Sequence, residues 1–130
     1  MAQYSFNKVL AGSVADAVVK VTEALKVEGF GILTDIDVQA TLKAKIDKQI
    51  LGYRILGACH PMMAYRAIGL EPRIGVMLPC SVLVRELEGG KAEVAIVDPM
   101  ATMASVQNES LGDVASEVHA KLRKVCDALK

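Results

Sequence analysis

The chain carries no excess of either charge: fifteen basic residues are matched by fifteen acidic ones. With no global positive field to draw it to phosphates or to an anionic bilayer, neither nucleic acid nor a membrane surface is an expected partner. No apolar run approaches the ~20 residues needed to span a bilayer. The N-terminal stretch has Lys8 alone and is broken by Ser13 and Asp16, which is not the basic, apolar, small-residue order of a secretory signal. A cytoplasmic protein is therefore expected. Cysteine is sparse, three in the chain with no CxxC pair, which argues against a disulfide framework or a structural zinc site and leaves no metal assigned. Also missing are the GxSxG elbow, the Walker loop, the dinucleotide-binding glycine fingerprint, HExxH and the EF-hand loop, so the best-marked enzyme classes are excluded. No repeat, low-complexity segment or linker interrupts the sequence.

What is present is apolar side chain in quantity. A hydrophobic share of 52% over 130 residues suffices for one domain, residues 1–130, with a core that needs no staples. Gln3 to Leu10 alternates in the period of a half-buried strand and stops at Gly12. Ser13 and Asp16 form a capping box for a helix in which Val14, Val18, Val21 and Leu25 recur until Gly29. Phe30 to Ile36 reads as a strand. Asp37 then caps a helix with Val38, Leu42 and Ile46 on one face and Lys43, Lys45 and Lys48 in water. Tyr53 to Cys59 is a third strand running into Pro61, which suits a first helical position, and a short helix reaches about Gly69. Leu78 to Glu88 and Lys91 to Asp98 form a hairpin about Gly89-Gly90. Ser110, three residues before Asp113, repeats the capping spacing ahead of a final amphipathic helix bearing Leu111, Val114, Val118, Leu122, Val125 and Leu129. The predicted class is α+β: an antiparallel or mixed, curved sheet of about five strands, with two long helices on one face and short helices besides.

Two cysteine-proline signatures, Cys59-His60-Pro61 and Leu78-Pro79-Cys80, place soft sulfurs at a strand end and a strand start. Cys59 stands just before a helix start, where unpaired N–H groups and the helix dipole favour an anion and would promote a thiolate. It equally suits a small apolar residue ending a buried strand. His60 serves as the cap, a ligand, a proton acceptor or simply a backbone partner. Pro79 fits the first position of a strand, and Cys80 shares a side with Val82 and Val84. If the third and fourth strands are neighbours, Cys59 and Cys80 converge at one end of the sheet. Met62, Met63, Met77, Met100 and Met103 add thioethers near these segments, as ligands to a soft metal or haem or as flexible core filler. Asp98, before Pro99, forms a turn or aims a carboxylate into a cleft. Cys126 is read as core and His119 as a solvated helical residue.

Gly29-Phe30-Gly31-Ile32-Leu33-Thr34-Asp35-Ile36-Asp37, Tyr53 through Pro61, Ala64, Ala67, Ile74-Gly75, Leu78-Pro79-Cys80 and Asp98-Pro99 occur in an order that resembles the "domain of unknown function 302" family over nearly the whole chain. The resemblance implies a TATA-binding-protein-like α+β fold with a curved antiparallel sheet, helices on one side and, often, a homodimer. Cys59, Pro61, Pro79 and Cys80 match the family pattern, whereas the place of His60 is often held by asparagine, so no metal or haem role follows for it. The fold's name implies no DNA binding. The leading expectation is a dimer that binds a small anionic or sulfur-containing ligand at a site made by Cys59, His60, Pro61, Pro79, Cys80 and Asp98. Thiol redox or sulfur transfer through Cys59, haem or soft-metal binding, and a purely structural dimerisation module are the alternatives. No cofactor is assigned.

Overall fold

A computed structural model describes residues 3–130. Five strands form one sheet: β1 (Ser5–Ala11), β2 (Gly31–Asp37), β3 (Tyr53–Cys59), β4 (Cys80–Leu87) and β5 (Lys91–Val97), in the order β1-β5-β4-β3-β2. Every neighbouring pair is antiparallel, which settles the choice between a mixed and an antiparallel sheet. The helices are α1 (Val14–Val27), α2 (Val38–Ile46), α3 (Pro61–Leu70), α4 (Pro99–Thr102) and α5 (Leu111–Ala128), with short 3-10 segments at Pro72–Met77 and Met103–Val106.

The period-two alternation builds the core directly. Leu56 and Ala58 of β3, Cys80, Val82 and Val84 of β4, and Ala92, Val94 and Ile96 of β5 share one face and are buried. Helices α1 and α5 pack on one another and along this face, burying Val21 and Leu25 from one and Val114, Val118, Leu122 and Val125 from the other. The intervening residues Ser81, Leu83, Arg85, Glu93, Ala95 and Val97 point to the other face, where Arg85 and Glu93 pair at 2.8 Å.

Local chemistry sets most boundaries as expected. The Ser13 hydroxyl accepts from Asp16 N–H at 3.1 Å and the Asp16 carboxylate accepts from Ser13 N–H at 3.4 Å, completing the capping box of α1. The helix ends at Gly29, whose φ of +89° is the left-handed geometry that glycine tolerates best. Two details depart from the pattern. Ser110 makes no capping hydrogen bond at α5; the Asn108 carboxamide oxygen accepts from Ser110 N–H instead, at 3.1 Å. Helix α2 is capped by Asp37 as expected, yet none of its residues is buried, and Ile46 is 59% exposed. Its apolar spacing is regular, but the helix touches the sheet chiefly at β3 and contributes nothing to the main core.

Candidate functional site

The pairing of Ala58 with Cys80 puts the end of β3 beside the start of β4. The two cysteine-proline segments therefore meet, and both thiols line one cavity of about 340 Å³. Its walls come from the sheet end, from Met63, Ala67 and Ile68 of α3, and from Val114 and Val118 of α5. Cys80 is buried and Cys59 half-buried, both as free thiols. Burial first, and the neighbouring Cys59 second, push the Cys80 thiol up to about 11, so it stays protonated at neutral pH. The one hydrogen bond to sulfur among the described residues runs from Arg66 to Met63, which leaves both thiols without a partner.

His60 is the N-cap of α3. Its Nδ1 accepts from Met63 N–H at 3.3 Å, which in the neutral ring puts the proton on Nε2. The ring stands edge-on to Phe30 at 5.3 Å between centroids. It also lies against Gly29, where a Cβ would fall 2.7 Å from Nε2; a side chain there would displace the imidazole. Gly57 plays a matching part for the second signature, because a Cβ on it would stand 2.7 Å from Pro79 Cγ and would also strike the Thr34 hydroxyl. Pro79 follows Leu78 through a cis peptide bond and lies over this bare stretch of β3.

Of the six residues singled out from sequence, Cys59, His60, Pro79 and Cys80 line the cavity, while Pro61 and Asp98 do not. Pro61 occupies the first position of α3 with its side facing out. Asp98 caps α4 by accepting from Met100 N–H at 2.9 Å, and its Oδ1 lies 2.8 Å from His119 Nδ1. Its carboxylate is thus engaged by its own chain. His119, expected in solvent, instead bridges α5 to the end of β5 and packs edge-on against Phe6 at 5.1 Å. The wall residues Phe30, Leu33, Met103, Val114 and Val118 were read only as strand or helix positions or core filler; no local spacing marks them, because the cavity is made by segments far apart in the chain.

Helix α3 offers little to an anion. Pro61 has no N–H, Met63 N–H goes to His60, and Ala64 N–H bonds the His60 carbonyl at 2.9 Å, leaving Met62 N–H. Among the described residues, no group of three or more His, Cys, Asp or Glu side chains is arranged to hold a metal ion. A groove of about 660 Å³ at the opposite end of the sheet is bordered by Ser13, Arg54, Glu86 and Lys91; Arg54 there is paired with Asp35, and Glu86 accepts from Gly52 N–H. The Arg54 guanidinium is held above its ordinary range chiefly by that hydrogen bond to Asp35.

A single antiparallel sheet backed by two long helices, with a thiol-lined apolar hollow at one end, defines an α+β class of small domain. The chain belongs to the family described as domain of unknown function DUF302, whose sequence profile matches residues 6–129. It is similar to a crystal structure of an uncharacterized conserved DUF302 protein from Bacillus stearothermophilus, with a TM-score of 0.91 and 23% identity, covering 99% of this chain and 100% of that one. At that identity the likeness speaks for the fold. No curated protein matches the chain.

Proposed function

We propose that this domain binds a small molecule in the cavity between β3, β4, α3 and α5, with Cys59, His60, Pro79 and Cys80 as its polar and sulfur-bearing border. The observation that carries the reading is the convergence of two thiols and a fixed imidazole on one hollow otherwise walled by carbon and thioether side chains. Of the two ligand chemistries the sequence suggests, a sulfur-containing one is favoured, because the start of α3 has most of its donors engaged or missing. Native mass spectrometry of the full chain tests this. A retained mass that is released on denaturation, and reduced in Cys59→Ser, is the expected result. A bare chain that also gains no thermal stability from low-molecular-weight thiols and thioethers overturns it.

A second reading is favoured by the contrast between the thiols: Cys59 is half-exposed while Cys80 beside it is buried and held protonated. Cys59 then acts as the reactive sulfur, either in sulfur transfer, where its thiolate attacks the outer sulfur of a persulfide donor and the donor's thiol leaves, or in pairing with Cys80, where a small-molecule disulfide is the oxidant and departs as two thiols. Rapid maleimide labelling of Cys59 in the native protein, with Cys80 labelled only on unfolding, supports it; slow labelling of Cys59 at neutral pH removes it. The homodimer implied by the family resemblance stays part of the proposal, with sedimentation equilibrium as its check.

A further inference from the structure

Resting on the ligand-binding reading above, the chemistry of the cavity wall narrows the kind of molecule it accepts. None of the residues lining it is Asp, Glu, Lys or Arg. Side chains such as Phe30, Leu33, Met63, Ile68, Met103 and Val118 provide the surface. Met62 N–H alone remains at the start of α3, too little to replace the hydration of a carboxylate. An engineered apolar cavity of roughly 150 Å³ takes benzene. The space here, at about 340 Å³, suits roughly a dozen non-hydrogen atoms on that scale. Cys80, buried and without a hydrogen-bond partner, presents a weak S–H donor and a soft sulfur to this space.

We propose that the cavity selects an uncharged, chiefly hydrocarbon molecule that ends in one soft or weakly hydrogen-bonding atom, a thiol, thioether or hydroxyl, set against Cys80 and Cys59. Specificity then comes from exclusion. A charged end group must either stay in water, dragging the chain out of the hollow, or enter it unpaired.

The test is titration calorimetry on the full chain, under reducing conditions at neutral pH, with 1-hexanethiol, 1-octanol and octanoate. Ile68→Trp serves as a blocking variant, because Ile68 borders the cavity yet is 49% exposed and tolerates a larger side chain. The expected result is saturable binding of a neutral probe, octanoate weaker by at least about 100-fold, and a loss of at least about tenfold for the neutral probe in Ile68→Trp. Octanoate binding as well as octanol, and weakened by Ile68→Trp, overturns the ligand class while leaving a ligand-binding cavity. Failure of every probe to bind, or binding indifferent to Ile68→Trp, overturns the class and the ligand-binding reading together.

Discussion

Strands β3 and β5 leave the same end of the sheet in the same way, and one leads to a hollow while the other is filled. In each, the residue after the strand turns its side chain back to accept a backbone N–H, and proline takes the first helical position: His60-Pro61 at α3, Asp98-Pro99 at α4. At the β5 exit, the cap is clasped by His119, with Phe6 and the Arg123 guanidinium stacked behind it. At the β3 exit, no charged group among the described residues bonds the cap; His60 is steadied by Phe30 and by the absence of a side chain at Gly29. The same local grammar thus produces a cross-brace where distant polar partners arrive, and an apolar hollow where distant partners are all carbon and sulfur.

The change expected to disturb this pair most is Gly29→Val. It places a β-branched residue at φ +89° and pushes into the His60 ring, so a loss of about 2 to 3 kcal/mol in urea denaturation is expected. Retained stability would mean that His60 does not depend on the gap.

Next comes alkali, which separates the two exits by chemistry. Cys80 is a proton-binding group held more tightly folded than unfolded, with its thiol moved from 9.0 to about 11. Between these values the unfolded chain sheds the proton first, so stability is fully present below about pH 9 and falls as pH rises to about 11, by about 2 to 3 kcal/mol. In Cys80→Ala that decline should flatten in pH-dependent denaturation curves. An unchanged slope would relocate the effect to another group.

The smallest effects are expected from the caps, and they should be unequal. Asp98→Ala removes a 2.9 Å capping bond and the His119 contact, for about 1 to 2 kcal/mol. His60→Ala removes a 3.3 Å bond and the edge-on contact with Phe30, with no charged partner lost, for about 0.5 to 1 kcal/mol. Equal losses in chemical denaturation would erase the distinction between braced and unbraced exits.

Much of this arrangement is legible in the sequence because it is local. Tyr53–Cys59, the Ser13/Asp16 capping box, the hairpin at Gly89-Gly90 and the apolar stripe of α5 all follow from spacing over a few residues, and the structure has them. Residues 110 and 119 show where locality stops. Ser110 has the capping interval, but its hydroxyl makes no capping bond and its own N–H is held by the Asn108 carboxamide oxygen, a local turn that spacing alone does not reveal. His119 looks like a solvent position on an amphipathic helix until Asp98, far away in sequence, is brought beneath it. The site behaves likewise: Cys59, His60, Pro79 and Cys80 stand out as chemistry, whereas Val114 and Val118 acquire their part through the docking of α5 near α3. The α+β class and the family are legible in the sequence, whereas the strand order comes from the three-dimensional arrangement.

Adjacent residues on α5 face both exits: Val118 borders the hollow, and His119 holds Asp98. A rigid rod touching both places cannot shift at one without tugging the other. The carbon wall at the sulfur end and the imidazole brace at the other thus share a single turn of helix as their support.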